Sequence, residues 1–307
     1  MAERTTQHGH EVLTIASADG STRASFVPEK GGMGSSIVMP GRDGPRELLF
    51  LHDFFWDRQT DKIPGGWPFL FPNCGRLERG GEAGTYLYDG HLYRLPSHGF
   101  GPRAAWEVAA EAQDSLTLRL VDTEATRAVY PFEFEILLKY RVAKCVLVCE
   151  QTYTNRGQVA MPYYAGFHPY LRTPAPGAGK ERVMLDFAPA RAFAYNERLT
   201  DLARETAVPQ VPAPIVHPTV NERIARVASN KEARLILPDG LTVHLAAVGV
   251  EDDDLFPYVQ LYTMPDKPFF CIEPWMAFPN ALNTVAGARW LRPGQSEHGI
   301  LRLWVTW

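Results

Sequence analysis

Three side chains in this 307-residue chain combine acid–base capacity with flanks able to bury them. Glu273 follows Phe269-Phe270-Cys271-Ile272 and precedes Pro274-Trp275. At a strand end against apolar walls such a carboxylate would lose solvation, which raises its pKa and makes it a stronger base. On its flanks alone, a glutamate exposed at a turn before proline is the simpler reading. His168 lies in Gly166-Phe167-His168-Pro169-Tyr170-Leu171, where Pro169 removes a backbone donor and favours an edge or strand-end position. A satisfied structural histidine is the alternative there. His98 sits between Ser97 and Gly99-Phe100, and glycine lets a backbone approach a ligand closely. Near neutral pH a carboxylate can be ionised and an imidazole charged, so the two types together can take a proton from one atom and give one to another.

The elements that must position these groups read as strands and tight turns. Tyr86 and Tyr88, then His91, Tyr93 and Leu95, alternate with their neighbours on either side of Asp89-Gly90, a strong hairpin signal. Asn73-Cys74-Gly75-Arg76 leads into that hairpin and Ser97-His98-Gly99-Phe100 leaves it, so Arg76 and His98 can face one site. Strands with one polar face are expected around Leu116 to Leu120, Phe132 to Tyr140, Val142 to Tyr153 and Ile300 to Trp307. A further pair, Arg234 to Leu237 and Leu241 to Leu245, flanks the reversing turn Pro238-Asp239-Gly240. Helical periodicity is scarce, and the expected helices are short ones over Asp201 to Ala207 and Asn221 to Ala228. Many short strands punctuated by Gly, Pro and Asp predict an all-β sandwich or barrel. Residues 1–11 are polar and expected to fray, leaving 12–307 as one β domain. The Pro-rich stretches 173–179 and 208–218 read as surface loops inside it.

Bulk properties narrow the partners. Net charge is −4 without a basic run, which argues against nucleic acid and anionic membrane. No apolar run approaches the ~20 residues needed to cross a bilayer, and the start MAERTTQHGHEV shows no secretory signal. The four cysteines have no CxxC spacing and read as reduced thiols of a cytoplasmic protein. His8-Gly9-His10 lacks nearby third and fourth ligands, so no metal site is assigned. Gly177-Ala178-Gly179-Lys180 is not a phosphate loop, because Pro174 and Glu181 stand where glycine and Ser or Thr are required.

Four segments together, FPNCGRL, the Tyr-x-x-x-Gly-x-x-Tyr-x-Leu-Pro hairpin with HGF, GFHPYL and CIEPW, occur in order between residues 65 and 283. This set resembles the aldose 1-epimerase (galactose mutarotase-like) family, in the bacterial branch with an FPNxGRL-type signature. The resemblance implies a single-domain, mostly antiparallel β-supersandwich with a sugar site in an open cleft on one sheet. It also implies interconversion of the α and β anomers of a free hexose or related aldose, with no metal or organic cofactor, by a monomer or homodimer whose partner is a small sugar. Glu273 is then the base at the C1 hydroxyl and His168 the acid at the ring oxygen, with His98 assisting. Arg76 would hold sugar hydroxyls, its alternative being a surface pair with Glu78. Asn73, Phe100, Tyr170 and Trp275 complete the expected binding set, although Asn73 reads more simply as ordering its loop through backbone bonds. Of the aromatics near the motifs, Trp67, Phe100, Tyr170 and Trp275, one or two are expected to line the site, Trp275 first.

The chain departs from that family at several points. Phe100 and Phe167 replace a glycine and an asparagine of galactose mutarotases proper. Pro102 stands where the related branch often has arginine, with Arg103 following. The family's sugar-holding aspartate finds no marked counterpart among Asp186, Asp201, Asp239 or Asp252-Asp253-Asp254. A hexose-6-phosphate mutarotase and a non-catalytic carbohydrate-binding protein on the same fold are the alternatives.

Overall fold

Apolar residues at every second position make the longest strands, and these assemble one large antiparallel sheet. Ser115–Val121 pairs with Phe134–Ala143 so that Leu116, Leu118 and Leu120 stand opposite Tyr140, Leu138 and Ile136, all buried. Polar neighbours such as Arg119 and Lys139 take the other face. Phe134–Ala143 continues into Val146–Asn155, and that strand pairs with the C-terminal strand Ser296–Thr306. The computed structural model describes residues 1–57, 62–228 and 232–307, and in it this sheet has nine strands. An eight-stranded sheet and a five-stranded sheet pack with it. Their inner faces share one continuous core: Phe26 of the five-stranded sheet meets Tyr140 with ring centroids 4.2 Å apart, and Phe69 of the eight-stranded sheet meets Tyr153 at 6.1 Å. Each large side chain fully buried there contributes about 1.5–3 kcal/mol. The fold is an all-β sandwich of mostly antiparallel sheets.

The Asp89-Gly90 hairpin forms as its sequence requires. Thr85–Tyr88 pairs with His91–Arg94, and both turn residues have positive φ, 47° and 77°, as a two-residue turn of this twist needs.

Two expectations fail. The segments expected to be helical, 201–207 and 221–228, are the strands Leu202–Thr206 and Arg223–Val227 of the eight-stranded sheet. Pro189–Tyr195 lies between them and pairs with both. Ile224, Ala225 and Val227 become buried, so packing on the sheet overrides a weak local helical pattern. The helices that do form, Glu124–Val129 and Ala281–Thr284, have four to six residues. The polar start does not fray either. Glu3–Gln7 folds back through His8-Gly9 onto His10–Ala16 as a charged edge strand, held by Arg4 to Glu11 and Glu111.

Candidate active site

The site is built on the strand Phe269–Trp275, which is buried along its whole length. Alternation sends Phe270 and Ile272 into the main core and Cys271 and Glu273 to the opposite face, while Trp275 both lines the pocket and packs on the main core. Two short strands flank it on one side. Gly166–Phe167 pairs through Gly166 opposite Trp275, and Tyr170–Arg172 pairs through Tyr170 opposite Cys271. Continuing that register through the gap between them sets His168 opposite Glu273. Pro169 supplies the gap, since it cannot donate to the ladder, and the His168 N–H turns instead to the Pro68 carbonyl at 3.0 Å. Side chains facing each other across an antiparallel pair touch, and here His168 Nε2 lies 3.5 Å from Glu273 Oε1. On the other flank, Tyr258–Tyr262 places Gln260 opposite Glu273, and the Tyr195 hydroxyl donates to Gln260 Oε1 at 2.7 Å.

His98 comes from the loop beyond the hairpin. Its backbone is left-handed, φ 65°, and Gly99 follows at φ 68°, where an added Cβ would lie 2.1 Å from the Phe71 carbonyl. This sharp corner is closed by a reciprocal pair of bonds: the His98 N–H donates to the Gly75 carbonyl at 2.9 Å, and the Gly75 N–H donates to His98 Nδ1 at 3.2 Å. With Nδ1 accepting, a neutral ring carries its proton on Nε2 as a donor. The ring lies edge-on to His168 at 5.3 Å and to Trp275 at 6.0 Å. Glu273, His168 and His98 therefore converge on one pocket of about 650 Å³, which Arg76, Tyr170 and Trp275 also line.

Burial dominates the electrostatics. It pushes the Glu273 carboxyl well above the usual carboxylate range, and the Trp275 indole N–H counters this without reaching hydrogen-bond geometry. Desolvation, then the nearby His98, holds His168 well below the ordinary imidazole value. His98 is lowered to about 3 by burial and by the cations of Arg103 and Arg76. The expectation for Glu273 as a desolvated carboxyl is met, whereas a charged resting imidazole is not: burial disfavours charge on either member of the pair.

Other expected contacts fall outside the pocket. Asn73 is fully buried, and its Nδ2 donates to the Gly75 carbonyl at 3.0 Å, so it shapes the loop carrying Gly75 and Arg76. Phe100 packs against Phe71, Tyr130 and Phe134 in the core, and Trp67 against Phe167. Arg76 does not pair with Glu78. It donates to the Arg198 carbonyl at 3.0 Å, while Glu78 pairs with Arg198 at 2.9 Å.

The aldose 1-epimerase family profile matches residues 13–304. The chain belongs to the aldose 1-epimerase family. A Salmonella typhimurium relative whose assignment as a glucose-6-phosphate 1-epimerase is itself provisional is 26% identical over 246 residues, 75% of this chain and 73% of the relative. Among solved structures, the Slr1438 protein of Synechocystis sp. superposes with a TM-score of 0.79 at 26% identity, covering 100% of this chain and 96% of that one. A galactose mutarotase related enzyme of Lactobacillus acidophilus gives 0.77 at 20% identity, covering 100% and 98%, and shares the fold.

None of the aspartates considered for holding the sugar in this aldose 1-epimerase family member lines the pocket. Asp186 pairs with Arg234, Asp239 with Arg46 and Asp252 with Arg289. The acidic side chain that the chain does place there, between His168 and Glu273 in sequence, is Glu222, at a left-handed φ of 49°. Gln260 also lines the pocket, as do Tyr195, Tyr262, His52, Lys62 and Lys267, which carry no local sequence signal. A positional clue existed for Gln260 alone, as the polar centre of the apolar run Tyr258 to Tyr262.

Proposed function

We propose that the protein is an aldose 1-epimerase acting on a free hexose or a similar aldose, with Glu273 as base at the C1 hydroxyl and His168 as acid at the ring oxygen. The observation that carries this reading is the buried His168–Glu273 pair, 3.5 Å apart on the wall of an open pocket. Ring opening moves one proton from the C1 hydroxyl to the carboxylate and another from the imidazolium to the ring oxygen. Closure on the other face reverses both transfers. The open-chain stage leaves Glu273 protonated and His168 neutral, the state that burial favours. Desolvation thus makes the base stronger and the acid stronger together. Sugar hydroxyls entering the pocket supply the hydrogen bonds that let the ionised pair form beforehand. The Nε2 proton of His98 donates to the ring oxygen or an adjacent hydroxyl, and Trp275 and Tyr170 cover the apolar C–H faces of the sugar.

A second reading, a mutarotase for hexose 6-phosphates, is favoured by a richer set of cations than Arg76 and Arg103 alone. Lys62 and Lys267 also line the pocket, and the Salmonella typhimurium relative carries a name of that kind. Asp53 and Glu222, also in the pocket lining, work against a dianion. Polarimetry of freshly dissolved α-glucose and α-galactose beside α-glucose 6-phosphate separates the two. The free-hexose reading expects kcat/KM higher for a neutral sugar and falls if only the phosphate is turned over. Tight sugar binding with no acceleration for any of them would leave a carbohydrate-binding protein.

A further inference from the structure

The face of Phe269–Trp275 that bears Glu273 also bears Cys271, one step along the same row of alternate residues. Tyr170 stands opposite Cys271, and the same register sets His168 opposite Glu273. A thiol, an imidazole and a carboxylate thus occupy adjoining rows of one sheet face. One ligand atom from each lies within 4.8 Å of the other two, and all three residues are buried. Two buried polar atoms of this group, His168 Nδ1 and Glu273 Oε2, have no hydrogen-bond partner.

We propose that His168, Cys271 and Glu273 form a three-ligand site for a borderline-soft divalent ion of the zinc class, whose binding blocks the sugar chemistry. Tetrahedral zinc holds nitrogen, sulfur and oxygen ligands about 2.0–2.3 Å from the metal, which spaces those ligands roughly 3.3–3.7 Å apart. His168 and Glu273 already stand at 3.5 Å, so side-chain rotation at Cys271 closes the remainder. His168 and Glu273 line the pocket while Cys271 is fully buried outside its lining, so a fourth ligand reaching the ion from the pocket would be water or a sugar hydroxyl.

Charge favours the complex. Cys271 as thiolate and Glu273 as carboxylate each bring one negative charge to the ion. A dication bound by both, with a neutral imidazole, is neutral as a whole, and the thiol and carboxyl protons leave to solvent. The thiolate excludes calcium and magnesium, which take oxygen ligands in larger number. Cys74, the other thiol beside Glu273, is directed at the Tyr164 carbonyl, 3.7 Å from its sulfur, and is not in the ligand set.

The inhibitory consequence rests on the epimerase reading, but the binding does not, so the decisive measurement is spectroscopic. Purified protein is titrated with Co²⁺ as a coloured substitute for Zn²⁺, using wild type, C271A, C271S and C149A; Cys149 is a buried thiol of the nine-stranded sheet. Expected are one ion per chain with a thiolate-to-cobalt charge-transfer band in wild type and C149A, and displacement by Zn²⁺. In C271A the band is lost and affinity falls by at least about tenfold. C271S, closer in size, guards against a folding defect. In parallel, Zn²⁺ slows mutarotation by wild type and does so at least about tenfold less potently in C271A. A wild-type protein without the thiolate band, or a band that persists in C271A and C271S, overturns the site. Absence of epimerase activity in metal-free wild type, with the band still formed on adding Co²⁺, would instead overturn the functional reading alone.

Discussion

His168 Nε2 lies 3.5 Å from Glu273 Oε1 because their strands pair in a register that sets the two residues opposite each other. Proline at 169 has no N–H to give to the ladder between the two paired segments. The juxtaposition is thus written into backbone pairing, and conservative changes at either residue should test chemistry with little change to the fold.

Glu273→Gln keeps the shape and removes the proposed base. We expect kcat for mutarotation to fall by about a hundred- to ten-thousand-fold, measured by polarimetry on α-glucose or whichever sugar the wild type turns over. Because burial already opposes the ionised carboxyl, the variant should melt at or above the wild-type temperature. A variant with near-wild-type kcat would remove Glu273 from the reaction.

His168→Asn separates transition-state from ground-state roles. The imidazole is buried at 4% exposure and stacks on Tyr170 with ring centroids 4.6 Å apart, and in the proposed reaction it offers the ring oxygen one proton. An interaction made mainly in the transition state shows as a loss in kcat with KM changed little. The expected loss is at least about a hundredfold. A large rise in KM with kcat intact would make His168 a binding residue and pass the acid role elsewhere, His98 being the nearest imidazole.

The contrast between what was legible and what was not follows from the range of each interaction. The Asp89-Gly90 turn and the two-residue alternation at 115–121 and 134–143 are local, and both form as the sequence indicates. The same alternation marks Cys271, Glu273 and Trp275 as one face. What occupies the neighbouring strands of that face is decided by pairing across long stretches of chain: Gln260 against Glu273, and Arg223–Val227 beside Tyr258–Tyr262. Glu222 enters the pocket through that pairing, in a segment whose local pattern reads as helix. Phe100 and Asn73 are the converse case, since their motif places them next to the site while their side chains serve the core and the loop.

His98 should leave a signature in acid stability. Its folded value is about 3 against 6.5 for the free side chain, lowered first by burial and then by Arg103 and Arg76, with His168 also facing the ring. Between those values the unfolded chain holds a proton that the folded one does not, so stability falls as pH drops from about 6.5 to about 3. His168, also lowered, adds to that loss in the same sense. Glu273, raised, works oppositely, since its contribution is present at low pH and fades as pH climbs above 4.5. Urea midpoints taken across this range should therefore drop less steeply on the acid side in His98→Asn than in wild type. Identical slopes would mean that the ring is not held neutral by its surroundings.

Lys180 is a buried amine outside the pocket lining that nonetheless should set substrate affinity. Its Nζ donates to Thr263 Oγ1 at 2.9 Å, to the Met264 carbonyl at 2.6 Å and to the Lys267 carbonyl at 2.5 Å, and lies over the Phe269 ring. These bonds fasten the turn between Tyr258–Tyr262 and Phe269–Trp275, and Met264 and Lys267 of that turn line the pocket. Lys180→Met keeps the length of the stem but leaves the acceptors without their common donor. Removing one charged partner from buried oxygens costs about 2–4 kcal/mol, which urea unfolding should register. The loosened turn should raise KM several-fold while kcat stays near the wild-type value, because Glu273 and His168 are anchored by their own strand pairing. A variant of unchanged stability and unchanged KM would show that the turn holds its shape without the amine, and that the pocket wall depends instead on the Thr263 hydroxyl bond to the Phe269 carbonyl.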